Sequence, residues 1–285
     1  MSRELWQIQG HYDIIYKPGV PGGIEEKTGE RPMAKNGNPS TGNLAERTLA
    51  ILEYVSRARG SVSILDIANS LDLPTTTVHR ILQTIKEAGY LRQTENKEYI
   101  STFKLLELAS NITGNDPLVN TLYPFMCYFA ARYGCQVGLS AFFGTASIIH
   151  LTTVGSAARF NDRYTLPGSV LPAYCTAAGK VFLSQLTDRE LDRWLATNSL
   201  IPRTANTIIS TEELRTQIEI TRDRGYGVVV SELYNDIACV SIPIVGKNLT
   251  VLGTMNFTTT PEEFGKVNNP EFIEEVRSTL AKISI

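Results

Sequence analysis

Two short helical patterns stand close together near the start of the chain. Ile64, Ile67, Ala68 and Leu71 carry the first, and Val78, Ile81, Leu82 and Ile85 the second, with only Asp72-Leu73-Pro74 between them. Two short helices joined by so tight a turn suit the helix-turn-helix arrangement. Ser63 followed by Asp66 is a capping signature that starts the first of these helices, and Pro74 suits the opening turn of the second. Upstream, Leu44, Thr48, Ile51, Leu52 and Val55 recur at helical spacing over residues 44–58, and Gly60 breaks that helix. Downstream of Gly89, Tyr90-Leu91-Arg92 and Tyr99-Ile100-Ser101 flank the polar turn 93–98 and read as a hairpin. Three helices and a hairpin in this order predict a winged helix-turn-helix over residues 43–102.

The polar side of the third helix has the chemistry of a DNA reader. Val78, Ile81, Leu82 and Ile85 take one face, and Thr76, Arg80, Gln83 and Glu87 the other, with Thr75, Thr77 and His79 near the amino end. Hydroxyl, guanidinium and amide groups read base edges and phosphates, and a recognition helix presents its first turns to the major groove. Arg47, Arg92 and Lys97 complete the expected DNA contacts. Between Asn43 and Ile100 the seven cations (47, 57, 59, 80, 86, 92, 97) are matched by seven anions (46, 53, 66, 72, 87, 95, 98). A neutral domain holds DNA through few phosphate contacts, so useful affinity requires at least a dimer.

The rest of the chain has a different character. Residues 1–42 are rich in Gly, Pro, Asn, Lys and Glu and are expected to form a disordered tail, with Met33 a candidate for the true start. Residues 103–115 continue as a linker helix, and 116–285 form a second domain. Gly134–Ala158 contains no Asp, Glu, Lys or Arg, but Gly144-Thr145 divides it into two β-rich halves, so a hairpin is favoured over a membrane span. Strands are expected at 135–143, 146–154, 226–231, 237–245 and 249–258. Helices are expected at 116–133, 173–186, 188–197, 211–224 and 270–283, with a loop over 155–172. The fold class is therefore two-domain α/β, with a central antiparallel sheet and flanking helices in the second part. The four cysteines (127, 135, 175, 239) form no CxxC pair and read as reduced thiols of a cytoplasmic protein. No cofactor, metal or membrane partner is expected.

The segments RTLAILEYV and DIANSLDLPTTTVHRILQTIKEAGYL, followed by GSVLPAYCTAAGKVFLS (168–184) and RDRGYGVVVSELYNDIACVSIPI (222–244), resemble the IclR family of transcription regulators. The resemblance covers residues 44–284. It implies a GAF-like second domain, self-association as dimers or tetramers, and a small organic acid as effector. By the same resemblance the effector site takes Phe160 and Arg163 from a loop, Ala177 and Ala178 from a helix start, and Val229, Ile237 and Cys239. Asn256 and Thr258 on the last strand complete it. An acid needs donors for its carboxylate and an apolar wall for its body, and Arg163 or Arg159 is the candidate clamp. Tyr174 and Asp236 depart from the family pattern near this site, so the resemblance does not carry over the usual effector. MNFTTTPEEF (255–264) and Arg159-Phe160 resemble members that control aromatic-acid breakdown.

Two other functions compete. No GxSxG elbow, zinc motif, dinucleotide fingerprint or carboxylate pair is present, which disfavours an enzyme, and His150 reads as structural. Lys180 belongs to no phosphate-loop pattern, and Glu232 reads as a turn-capping residue. The second alternative is a DNA-binding protein whose second domain serves oligomerisation alone.

Overall fold

The computed structural model describes residues 42–143, 147–155, 166–246 and 250–283. The expectations for the tail and Met33, for the break at Gly144-Thr145, and for Arg159, Phe160 and Arg163 lie outside these residues. The rest divides into two compact units that meet in sequence between Asn115 and Asp116.

In the first unit α1 (Leu44–Arg57), α2 (Ile64–Leu71) and α3 (Thr75–Glu87) precede a hairpin of β1 (Leu91–Gln93) and β2 (Tyr99–Ser101). Reciprocal capping boxes start α1 at Asn43/Glu46 and α2 at Ser63/Asp66. Hydrogen bonds from the Ser63 hydroxyl and backbone hold the Asp66 carboxyl below the usual carboxylate range. Asp72 ends α2 in the left-handed region at φ 52°. Ile51, Val55, Ile67, Leu71, Val78, Leu82, Leu91 and Tyr99 form the core. Leu44, expected on the inner face of α1, is 55% exposed, because it opens the first turn beyond the reach of α2 and α3. Helix α4 (Lys104–Gly114) belongs to this unit, and none of its residues is buried.

The second unit is built on a six-stranded antiparallel sheet in the order β5-β4-β3-β8-β7-β6. Its strands are β3 (Gln136–Phe143), β4 (Ser147–Val154), β5 (Val170–Pro172), β6 (Gly227–Val230), β7 (Ala238–Val245) and β8 (Val251–Thr259). Helices α5 (Pro117–Tyr133) and α9 (Pro270–Ala281) pack on one face. Val137, Leu139, Val240, Ile242, Ile244, Met255 and Phe257 supply the sheet's share of that core, and α5 and α9 add Phe129 and Phe272. Phe257 and Phe272 meet edge-on at 4.8 Å, a favoured aromatic geometry. Strand alternation sends Ser140, Cys239, Ser241, Asn256 and Thr258 to the other face. There α6 (Ala177–Ser184) lies across the strands, backed by α7 (Asp188–Thr197) and α8 (Thr211–Arg224).

Two local expectations need correction. The helix expected from 173 begins at Ala177, because Thr176 caps it: its hydroxyl accepts from Gly179 N at 3.2 Å and donates to Pro172 O at 2.9 Å. The loop expected over 155–172 contains β5, a three-residue edge strand paired with β4 and closed by Pro172.

Helix α6 approaches the sheet at Gly227, where a Cβ would stand 2.0 Å from the carbonyl oxygen of Ala177. Gly227→Ala should therefore destabilise the protein by about 3 kcal/mol, the upper end of overpacking costs. Urea unfolding checks this against Gly265→Ala, where nothing among the described residues lies within 4 Å of the added carbon and no change is expected.

Candidate functional site

The exposed side of α3 gathers much of the expected DNA-contacting set. Thr75, Thr76, His79 and Arg80 are exposed and Thr77 is half-buried, all within the first two turns. Arg92 on β1 and Lys97 in the hairpin turn are exposed too, and Lys97 takes a left-handed φ of 63°. Arg47 on α1 is half-buried. Gln83 differs from the others. It is half-buried, and its amide donates to the Tyr99 phenol at 3.0 Å, tying α3 to the hairpin. Because Tyr99 itself is fully buried, this bond anchors the wing to the helix it flanks.

In the second unit a cavity of about 60 Å³ opens between the sheet and the amino end of α6. Seven of the nine residues expected at the effector site line it: Ala177 and Ala178 from α6, Val229, Ile237, Cys239, Asn256 and Thr258. The strand register explains their meeting. Val229 faces Cys239 across β6 and β7, and Cys239 faces Thr258 across β7 and β8, so these three make one row of the floor. Ser241 and Asn256 make the next row. His150, Leu171, Cys175, Thr176, Leu233 and Tyr234 also line the cavity. The walls are mainly apolar. Phe160 and Arg163 lie outside the described residues, as does the alternative clamp Arg159.

A buried polar chain runs along the floor. Asn256 Oδ1 accepts the Ser241 hydroxyl at 2.7 Å, and Asn256 Nδ2 donates to Ser140 Oγ at 2.7 Å. Ser140 Oγ lies 3.0 Å from His150 Nδ1. Asn256 is thus held in place from both sides, with amide capacity left over toward the cavity. Burial pulls the His150 pKa down to about 4, so its imidazole is neutral near pH 7 and unsuited to proton transfer there. Burial also raises the thiols of Cys175 (to about 12) and Cys239, leaving both protonated and weakly nucleophilic. The Thr258 hydroxyl donates to Cys239 Sγ at 3.6 Å.

Three further residues change role. Tyr174 is buried, and its hydroxyl donates to Ile201 O at 2.7 Å, so it anchors a loop and does not face the cavity. Asp236 is exposed and is not part of the lining. Glu232 caps no turn with its side chain: Lys180 Nζ stands 2.5 Å from its carboxylate in a buried ion pair.

A sequence model of the IclR helix-turn-helix domain matches residues 44–95, and one of the bacterial transcriptional regulator IclR C-terminal region matches residues 112–285. The chain belongs to the IclR family. Among its relatives is the HTH-type transcriptional regulator KdgR of Dickeya chrysanthemi, 27% identical over 240 residues, 84% of this chain and 77% of that protein. The Pca regulon regulatory protein of Pseudomonas putida is 25% identical over 242 residues, 85% of this chain and 81% of that protein. An IclR homolog of Microbacterium hydrocarbonoxydans, solved in complex with 4-hydroxybenzoate, shares the fold. Its TM-score is 0.68 at 17% identity, over 84% of this chain and 96% of that one. This IclR-family protein is therefore a DNA-binding transcription regulator. Among the described residues no helix is long and apolar enough to cross a membrane, and no group of three or more His, Cys, Asp or Glu is placed to hold a metal ion.

His150 links folding to pH. Its folded pKa of about 4 lies below the unfolded value of 6.5, so its contribution is complete above pH 6.5 and is lost as pH falls toward 4. The loss should reach about 3 kcal/mol at the lower end, by the 1.36 kcal/mol carried by each pKa unit. Denaturant unfolding between pH 7 and 4 measures it, and His150→Gln should flatten that part of the profile.

Proposed function

We propose that this IclR-family regulator reads a specific operator with α3 and that a small organic acid in the α6 cavity modulates that binding or transcriptional activation. The observation that carries the reading is the cavity's composition. Mainly apolar walls surround a few polar groups: the Asn256 amide, and the amino end of α6 at Ala177 and Ala178. Helix amino ends favour anions, and an apolar pocket with few convergent donors fits an acid with a hydrophobic body. An aromatic ring suits those walls. The solved homolog with 4-hydroxybenzoate supports an aromatic acid. Phe160 and Arg163 join the site in this reading, Arg163 as the carboxylate clamp.

Thr75, Thr76, Thr77, His79 and Arg80 enter the major groove, while Arg47, Arg92 and Lys97 hold phosphates. Gln83 supports α3 from behind through Tyr99. Two copies bind together, since one neutral domain offers few phosphate contacts. The exposed apolar side chains of Phe103, Leu106 and Ile112 on and beside α4 are the candidate surface for joining them.

Two experiments test this reading. A thermal-shift series with 4-hydroxybenzoate and related aromatic and aliphatic acids should find a stabilising ligand, worth about 2.7 kcal/mol at a hundredfold excess over Kd. Asn256→Ala should weaken that ligand's binding about tenfold or more, the cost of a lost hydrogen bond to a charged group. If no acid shifts the melting point or the operator affinity, the second domain serves oligomerisation alone. Separately, Arg80→Ala should cost about 1–3 kcal/mol of operator affinity and less on random DNA if Arg80 reads a base. Equal losses on both DNAs, measured by fluorescence anisotropy, would assign Arg80 to a phosphate.

A further inference from the structure

The Lys180–Glu232 pair contributes no side chain to the DNA face or to the cavity lining. Lys180 is 1% exposed and the Glu232 side chain 10% exposed. Lysine is almost never so buried unless it is paired, and taking both charges out of water makes the pair a poor source of net stability. Burial pushes the Lys180 ammonium down and the Glu232 carboxyl up from their ordinary values, so each depends on the other to stay charged.

The location of the pair suggests what it does. Lys180 stands in the first turn of α6, just beyond Ala177 and Ala178. Glu232 immediately precedes Leu233 and Tyr234 in the loop that joins β6 to β7. The ion pair thus connects two elements that supply cavity walls. Other bonds hold the same loop. Ser231, at φ 56°, donates its N–H to Ile237 O at 2.8 Å. The Thr204 and Thr207 hydroxyls donate to the carbonyls of Ser231 and Glu232, each at 2.6 Å. These ties hold the loop to itself or to residues 204–207. The ion pair is the one among them that reaches α6. Glu232 Oε2 is buried and accepts no hydrogen bond among the described residues, so this link is made at a single point.

We propose that Lys180 and Glu232 are positioning residues for the cavity: their ion pair sets the spacing between the amino end of α6 and the β6–β7 loop, and so governs entry to the space containing Cys175 and Cys239. This rests on reading the cavity as a ligand site, but its test needs no ligand. The full-length protein carries Cys127→Ser, which removes the exposed thiol. Methyl methanethiosulfonate then labels Cys175, Cys239 and Cys135, and mass spectrometry of the peptides gives three separate rates. Cys135 is the control, buried in the core on the other face of the sheet.

Replacing both charges, as in Lys180→Met/Glu232→Leu, removes the link without stranding a buried ion, and such exchanges commonly preserve the fold. In this variant labelling of Cys175 and Cys239 should rise about tenfold, the signature of a local opening, with Cys135 unchanged. Parent-like rates at the cavity thiols overturn the proposal, and so does a parallel rise at all three, which would mean general loosening. If circular dichroism shows the double variant unfolded, Lys180→Arg replaces it. That change keeps the charge but enlarges the head, and should raise the two cavity rates several-fold. Parent-like rates in folded Lys180→Arg also overturn the proposal. Failure of every acid to stabilise the protein would leave this result standing, and unchanged labelling would leave effector binding standing.

Discussion

The second unit depends on how closely α6 can approach the sheet. The missing side chain at Gly227 lets the first turn of the helix come down onto β6, and Gly179 allows an equally close pass beneath Ala173, where a Cβ would stand 2.1 Å from its carbonyl oxygen. With α6 held there, its amino end faces the polar side of the strands and leaves room for a small molecule. A larger residue at either position would lift the helix and separate the two halves of the cavity lining.

The sheet divides its labour by the period of two. On β7, Val240, Ile242 and Ile244 enter the core while Cys239 and Ser241 face α6. On β8, Met255 and Phe257 enter the core while Asn256 and Thr258 face α6. The core needs density and the cavity floor needs hydrogen-bonding groups, and one pair of strands supplies both. The buried serines and Asn256 satisfy one another and so avoid the penalty for stranded polar atoms. That is why a polar floor survives beneath a nearly apolar cavity.

What could be read before folding follows the same logic. Val229, Cys239 and Thr258 are legible only through the family resemblance, whereas the capping signature of Ser63 and Asp66 is local by nature. The His150–Ser140–Asn256 chain is different. It joins three strands and includes an irregular register between Leu139 and Ser140, which no pattern within one segment reveals. The partnership of Lys180 and Glu232 is equally hidden, because the two stand 52 positions apart and no local pattern joins a lysine in TAAGK to a glutamate read as a turn cap. Gln83 shows a related limit. Helical spacing put it on the outer face, but the hairpin folds back over that edge and captures its amide. Tyr174 stands beside the cavity residues in sequence, yet its hydroxyl is committed to Ile201.

The balanced charge of the first unit bears on how such a regulator behaves among a genome's many competing sites. A strongly basic domain spends most of its time on random DNA, held by phosphates, and little of it free. With as many carboxylates as cations, this domain should have weak retention off target. Most copies would stay in the solvent pool, where the proposed self-association and small-molecule encounter would take place. Promoter occupancy would then follow the concentration of assembled, competent protein directly, without a large reservoir on the chromosome to buffer it.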